Sequence, residues 1–450
     1  MHQEPQFGIK WLQNILHPFR RFAKFSAAGG ILLLVATVLA MALANLPTAD
    51  WYFHLWHQSF QVKISSLNIN QSLLHWVNDG LMTIFFLLVG LEIKREIISG
   101  HLSSPSKMML PLAAAIGGML GPAAIFYFFN QGTPEVVGWG IPMATDIAFA
   151  LGILMLLGNR VPSSLKIFLA AFAIFDDIGA VLVIAIFYTD KLSFGALGLG
   201  IGLIVLLFVL ARFGVRNLIV FLLIGLVSWV AFLKSGVHTT VQGVLLAMTI
   251  PATAALPLTF VRDRGRKLID EFDKTCLHPD SDPKRRKAVL TAISNLSKNA
   301  MSPLMRLEHA LHPFVTFVIL PIFAFANAGV AISFETTQQF MSMLSLGIVA
   351  GLFFGKSFMI TTVSYLAVKL RIAKLPKGVK WKHIFGVAIL GGIGFTMSLF
   401  ITSLAFTEPE SLESAKIGVL TASTLSAIVG SFVLVMVTRN KKGEASQSDS

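Results

Sequence analysis

Runs of about twenty apolar residues recur along the 450-residue chain, and each is long enough to cross a lipid bilayer as a helix. Only 13% of the residues are charged, whereas soluble domains carry about 25%. Because the hydrocarbon core holds no water to satisfy backbone groups, such runs fold as helices. The sequence therefore predicts an all-α polytopic membrane protein.

Counting these runs gives about twelve predicted spans. We place them at 26–46, 75–93, 108–129, 137–157, 165–187, 193–211, 217–233, 236–250, 311–331, 342–368, 383–405 and 416–437. The segment 1–25 has no short apolar core followed by a small-residue cleavage site, so we expect no cleavable signal peptide.

Basic residues alternate between two sets of loops. The set with fewer basic residues holds only Lys63, Lys191, Lys234 and Lys416. By the positive-inside rule the richer set is cytoplasmic, which puts both termini inside and agrees with an even number of spans. The net charge of +13 follows from this topology, so we predict no nucleic-acid partner. The richer set comprises Lys10, Arg20, Arg21, Lys24, Lys94, Arg95, Lys107, Arg160, Arg212, Arg216, the stretches 262–306 and 369–382, Arg439, Lys441 and Lys442.

Three polar stretches interrupt or follow the spans. Residues 52–72 alternate apolar and polar side chains around Ser65 and Ser66, which predicts a β-hairpin on the outer face. Residues 257–310 carry runs of both charges and form a predicted cytoplasmic insertion. The tail 438–450 is predicted to be disordered. The predicted transmembrane domain thus occupies 26–437, after a predicted cytoplasmic N-terminal segment 1–25.

Two adjacent carboxylates, Asp176 and Asp177, lie in the middle of the span 165–187. A carboxylate at membrane depth is costly, and two side by side are more so. The pair must face water, bind a cation, take up a proton or meet a fixed positive charge. Lys356, near the middle of the span 342–368, is the obvious cationic partner. Each of these options indicates ion transport.

Two spans contain residues that interrupt a helix. Gly138, Gly140 and Pro142 precede Thr145 and Asp146 in one of them. The other contains Gly391, Gly392 and Gly394. A helix broken at membrane depth exposes backbone groups and half-helix dipoles, which is useful around an ion or substrate. One such span in each half of the chain predicts a transporter site.

Structural explanations remain open for the same residues. Asp176 and Lys356 could form a salt bridge with no transport role. Glycine-rich spans often serve close helix packing alone. Glu92, Arg95 and Glu96, about one helical turn apart, could be an ordinary charged helix end.

Seven stretches resemble the bacterial NhaA-type sodium/proton antiporters, in the same order along the chain from about residue 20 to about residue 437. They are FFLLVGLEIKREI, GIPMATDIAFALGILMLLGNRVP, LKIFLAAFAIFDDIGA, LKSGVH, RLEHALHPFVTFVILPIFAFANAGV, GLFFGKS and GGIGFTMSLFI.

The resemblance implies a fold with inverted-topology repeats, in which two discontinuous helices cross at mid-membrane. Asp177 would be the main shared site for the cation, Na⁺ or Li⁺, and the proton. Asp176 would be a second carboxylate of this site and would pair with Lys356. Thr145 and Asp146 would lie at the crossing, with Asp146 offsetting the half-helix dipoles.

The resemblance also implies regulation and assembly. The family's pH-sensing entrance would comprise Glu92, Arg95, Glu96, Glu308, His309 and His312, and His238 matches a position linked to pH response. The 52–72 hairpin would pair across a homodimer in the bacterial inner membrane. The expected activity is electrogenic sodium export driven by protons, with no cofactor. The insertion 257–310 and the N-terminal segment are longer than the family pattern, which leaves the pH set-point open.

Two other functions compete with antiport. A sodium-coupled solute symporter on the same fold is the nearest rival, and solute-dependent sodium uptake would reveal it. An intramembrane aspartyl protease also uses two aspartates, but it needs one on each of two helices with a GxGD motif, whereas this chain has FDDIG. We therefore expect a transporter and not an enzyme.

Overall fold

The computed structural model describes residues 28–64, 67–100, 104–189, 192–254, 256–276, 282–332 and 339–439. The predicted N-terminal segment 1–25 lies outside these residues. So does the predicted tail, except that Thr438 and Arg439 still belong to the last helix.

The described elements are almost all helical. In chain order they are α1 (Ala28–Asn45), α2 (Ala49–His57), strands β1 (Ser59–Ile64) and β2 (Leu67–Ser72), α3 (Met82–Ser99), α4 (Pro105–Asn130), a 3₁₀ helix (Pro134–Met143), α5 (Ile147–Leu156), α6 (Ser163–Phe187), α7 (Phe194–Arg212), α8 (Leu218–Leu233), α9 (Thr239–Thr249), α10 (Leu258–Cys276), α11 (Pro283–Ala300), α12 (Pro303–Phe314), α13 (Leu320–Asn327), α14 (Met343–Val349), α15 (Lys356–Lys369), α16 (Trp381–Leu390), α17 (Phe395–Ala405) and α18 (Pro409–Arg439). Stretches of π-helix, at Trp76–Leu81, Val315–Ile319 and Ala350–Gly355, lead into α3, α13 and α15.

Length and apolar composition identify the membrane-crossing helices. Within the described ranges, eight helical stretches are long and apolar enough to span a bilayer, or nine if the pair α16–α17, bent by 46°, counts as one. The shorter helices α8 and α9 are also apolar. The predicted polytopic all-α membrane protein is therefore confirmed, with a small two-stranded sheet.

One span starts earlier than the sequence pattern indicates. The span predicted from residue 311 begins at Pro303, because Ser302 caps α12 by accepting a hydrogen bond from the Met305 amide at 3.2 Å. Proline suits the first helical position, where its missing N–H costs nothing. Glu308 and His309 therefore lie on a helix that continues into the span, and not in a loop before it.

The predicted hairpin occupies only the second part of 52–72. Strands β1 and β2 pair antiparallel from Ser59↔Ser72 to Ile64↔Leu67. Residues 49–57 form helix α2 instead, because Tyr52 and Trp56, one turn apart, are both buried. Burial raises the pKa of Tyr52 to about 12, so its hydroxyl stays neutral and donates to the Phe325 carbonyl at 2.6 Å.

The described residues belong to two compact units of the chain. The first comprises 1–81, 104–188 and 316–450, and the second comprises 82–103 and 189–315. In the first unit α4 and α15 approach closely, since a Cβ on Gly117 would lie 2.7 Å from the Met359 carbonyl oxygen. In the second, α3 and α9 do the same, since a Cβ on Gly243 would lie 2.5 Å from the Thr83 carbonyl oxygen. Small residues let apolar helices pack backbone to backbone.

Candidate functional site

The first unit contains two helix interruptions that hydrogen-bond to each other. Residues 144–146 separate the 3₁₀ helix from α5, and residues 391–394 separate α16 from α17. The Asp146 amide donates to the Ile393 carbonyl at 2.7 Å, and the Thr145 hydroxyl donates to the Gly391 carbonyl at 2.8 Å. Each interruption therefore satisfies backbone groups that the other exposes.

Asp146 joins the N-termini of the two helices that follow these interruptions. Its Oδ1 accepts from the Phe149 amide of α5 at 2.9 Å. Its Oδ2 accepts from the Thr396 amide of α17 at 3.1 Å and from the Thr396 hydroxyl. A carboxylate is favoured at a helix N-terminus, where the dipole is positive. One buried carboxylate thus serves two half-helix ends.

A buried ion pair lies beside the first interruption. The Lys356 ammonium, at the start of α15, donates to Asp176 Oδ2 on α6 at 2.8 Å, and both side chains are fully buried. The same ammonium donates to the Thr145 hydroxyl. Lys356, Thr145 and the Gly391 carbonyl therefore form one hydrogen-bonded chain. The sequence anticipated the pairing of Lys356 with an aspartate but not this connection through Thr145.

One carboxylate oxygen of this ion pair has no hydrogen bond from the described residues. Asp176 Oδ1 is buried and accepts no hydrogen bond from the described residues. Asp177 is the next residue on α6 and is only 3% exposed. Neighbouring helix positions differ by about 100°, so the two carboxylates can have different partners. Within the described ranges, no three His, Cys, Asp or Glu residues cluster as a metal site, so a hard cation here would rely on carboxylate and hydroxyl oxygens.

Two residues near the interruptions were absent from the predicted site. Thr396 contacts Asp146 through both its amide and its hydroxyl. Its position directly after the glycine-rich break was a signal that could have identified it. Ser423 on α18 accepts from the Phe395 amide at 3.1 Å. It is one of many serines in apolar spans, and no sequence signal distinguishes it.

The second unit contains a separate charged cluster. Arg95 on α3 forms ion pairs with Glu96 at 2.9 Å and with Glu308 on α12 at 2.7 Å. Glu92 precedes Glu96 by one helical turn, while His309 and His312 are exposed on α12. The structure therefore brings Arg95, Glu96 and Glu308 into contact.

The predicted pH-response residue His238 lies away from this cluster. His238 precedes the first residue of α9. At the other end of that helix, the Lys94 ammonium donates to the Met248 and Ile250 carbonyls. The eleven residues of α9 separate the two ends by about 16 Å. His238 and the residues next to Arg95 are thus at opposite ends of one helix.

Buried charged residues within apolar spans, next to two interrupted helices, define the class of secondary membrane transporters. The chain also matches the family described as Na+/H+ antiporter 1 over residues 20–434. It therefore belongs to this Na⁺/H⁺ antiporter family, whose members are transporters.

Full-length relatives agree with this assignment. The Na(+)/H(+) antiporter NhaA of Oleidesulfovibrio alaskensis is 47% identical, covering 98% of this chain and 99% of the relative. The protein of the same name from Acidithiobacillus ferrooxidans is 46% identical, covering 96% and 99%. A solved structure of the sodium proton antiporter MjNhaP1 from Methanocaldococcus jannaschii matches with TM-score 0.44 and 15% identity over 95% of this chain and 94% of that chain. No conclusion rests on so distant a likeness.

Removing one member of the buried ion pair should destabilise the protein more than removing both. Lys356→Met leaves Asp176 as a buried, unpaired carboxylate, which costs about 3–5 kcal/mol. The double variant Lys356→Met, Asp176→Leu should recover most of the loss because no charge remains to be desolvated. Melting temperatures of the purified protein in detergent measure both effects. A Lys356→Met variant as stable as wild type would show that the pair is not charged in the folded state.

Proposed function

We propose that this chain is a secondary active antiporter that exports Na⁺ or Li⁺ in exchange for protons across a bacterial inner membrane. The observation that carries the proposal is the buried network of Asp176, Lys356 and Thr145 at the two helix interruptions. Its carboxylate and hydroxyl oxygens can bind one small cation at a time inside the membrane. Asp177, buried next to Asp176, is the principal shared carboxylate in this proposal.

Competition for one negative site produces exchange. Sodium and lithium are hard cations that prefer oxygen ligands. The carboxylates of Asp176 and Asp177 and the hydroxyl of Thr145 supply such ligands. A bare carboxylate in the membrane is costly, so it is neutralised by a cation, a proton or an ammonium. If only a neutralised site changes sides, sodium moving one way requires protons to move the other way.

Lys356 provides a second proton in this scheme. A cation that binds Asp176 replaces the ammonium as the neutralising charge. The ammonium is then buried without its partner and releases its proton. The cycle would move two protons for each sodium and would be electrogenic. The free Asp176 Oδ1 supports this step, because a cation can approach it before Lys356 leaves Oδ2.

The finer architecture belongs to the same proposal. We infer about twelve spans in inverted repeats, with both termini cytoplasmic and the two interruptions crossing near mid-membrane. The 46° bend between α16 and α17 supports a discontinuous helix. A homodimer would form through the two-stranded sheet, whose outer edges can each pair with another strand. The small-cation substrates need no resident cofactor.

Replacing Asp177 by asparagine should abolish transport without removing the protein from the membrane. Everted vesicles from an antiporter-deficient strain, holding a respiration-driven proton gradient, report exchange as dequenching of a pH-sensitive dye. Wild type should dequench on addition of Na⁺ or Li⁺, and Asp177→Asn should not, because the amide cannot neutralise a cation. Asp263→Asn, which removes an exposed carboxylate on α10, is the matched control and should behave as wild type. Dequenching by Asp177→Asn equal to wild type would reject the assigned carboxylate, whereas a silent wild type would favour the solute symporter.

The proton count tests the role of Lys356. Proteoliposomes with an imposed sodium gradient and the membrane potential clamped at zero give the number of protons for each sodium from the pH gradient at which flux stops. Wild type should give a ratio near two, and Lys356→Gln a ratio near one, because glutamine carries no titrating proton. An unchanged ratio in Lys356→Gln would remove the lysine from the proton pathway.

The charged cluster of the second unit is proposed to set the pH of activation. Histidine titrates near neutral pH, and His309 follows Glu308, which pairs with Arg95. The double variant His309→Ala, Glu92→Gln should shift the activity–pH curve by about one unit or more, because it removes an imidazole and a carboxylate next to the residues that pair with Arg95. The vesicle assay between about pH 6.5 and 8.5 measures the shift. The control variant is His54→Ala, which removes an exposed histidine on α2, outside the charged cluster. It should leave the activity–pH curve unchanged.

A further inference from the structure

Helices α10 and α11 pack against each other and leave one side of α11 exposed. Leu268 on α10 and Val289 on α11 are both 3% exposed. Leu296 on α11 faces Gly265 on α10, at 3.9 Å from where a Cβ would lie. Positions 289 and 296 share a face because they are two helical turns apart. The opposite face of α11 therefore points away from α10.

The exposed side of α11 is strongly basic. This helix contains five Lys or Arg residues and no acidic residue, and all five are exposed. Its neighbour α10 mixes both signs, and Arg262 pairs there with Asp263 at 2.8 Å. The positive charge of this region is thus concentrated on one helix. The five residues are Lys284, Arg285, Arg286, Lys287 and Lys298, of which Arg285 precedes Val289 by four positions and lies on the side of α11 nearer α10.

Four of these cations lie near the N-terminus of α11, where positive charge destabilises a helix. Residues 284–286 lie in the first turn of α11, where the helix dipole is already positive, and Lys287 begins the second turn. Asp282 directly precedes the helix, and its carboxylate accepts a hydrogen bond from the Lys284 amide at 2.9 Å. The helix dipole does not favour cations at this end, whereas it would favour an anion there.

The basic side chains line a shallow groove along α11. Arg286, Lys287 and Lys298 border it together with Ser294, and its volume is about 440 Å³. Leu290 lies between the cations and is 49% exposed. This groove therefore presents cations beside an exposed leucine, and such a surface can attract anionic lipid headgroups.

The chain holds this helix close to a membrane. Helix α11 ends at Ala300, and the candidate span begins at Pro303. Pro303 follows Lys298 by five positions, so the two Cα atoms are at most about 18 Å apart. The phosphates of the adjacent leaflet are therefore the nearest dense source of anions.

We propose that the basic face of α11 binds the anionic phospholipid headgroups of the membrane that the chain itself crosses. Juxtamembrane clusters of four to eight basic residues attract anionic lipids in this way. The contact would hold the α10–α11 pair against the bilayer. Because the attraction is electrostatic, salt should weaken it.

A fluorescent reporter on the full-length protein tests this contact. The native Cys276, the single cysteine of the chain, is replaced by serine, and Ser294→Cys carries an environment-sensitive dye. The labelled protein is placed in nanodiscs of phosphatidylcholine alone or with about one third phosphatidylglycerol, both containing a headgroup-nitroxide lipid as quencher. We expect quenching about twofold or more stronger in the anionic discs, and reversal of the difference by high salt.

A matched pair of variants separates α11 from general charge. Replacing residues 284–287 by glutamine should abolish the lipid-dependent quenching. Replacing Arg262, Arg264, Arg266 and Lys267 of α10 by glutamine removes the same number of charges and should preserve it. Equal quenching in both kinds of disc, or equal loss in both variants, would overturn the proposal. So would dye changes caused only by a soluble polyanion such as a DNA duplex, since the partner would then not be lipid.

Discussion

The structure of the first unit depends on the cost of burying charge inside a membrane. Lys356 and Asp176 are both fully buried and directly paired. Neither group alone could remain ionised at that depth without several kilocalories per mole of penalty. Their pairing removes net charge but leaves one carboxylate oxygen without a hydrogen bond from the described residues. A site that is neutral yet incompletely satisfied is suited to exchange one positive partner for another.

The two helix interruptions satisfy each other's buried backbone groups. Free N–H and C=O groups at membrane depth are as costly as buried side-chain polar groups. The interruptions at 144–146 and 391–394 share hydrogen bonds, and Asp146 satisfies amides at the start of two helices. Thr145 then connects this backbone crossing to the ion pair through Lys356. Thr145 therefore links the ion pair at Asp176 to both helix interruptions through hydrogen bonds.

The sequence located most of the candidate site but not its connections. Intramembrane Asp and Lys residues stand out because their cost is visible in any apolar span, and Gly and Pro mark interruptions in the same way. The sequence could not identify Ser423. A serine in an apolar helix has the same sequence pattern whether its hydroxyl bonds to another helix or to the backbone of its own helix. The start of α12 at Pro303 was missed for a related reason: its capped first turn is amphipathic, and it resembles the polar insertion before it more than the span that follows.

By itself the sequence determined that this protein lies in a membrane, belongs among the Na⁺/H⁺ antiporters and carries a few costly charges within its spans. Hydropathy and composition are local properties, and the family match depends on the order of residues alone. Only the tertiary structure decided that Lys356 also donates to Thr145 across 211 residues of chain, that Asp146 caps α5 and also accepts from the start of α17, and that His238 lies away from Arg95. Such partners are set by how helices pack, and packing depends on every segment at once.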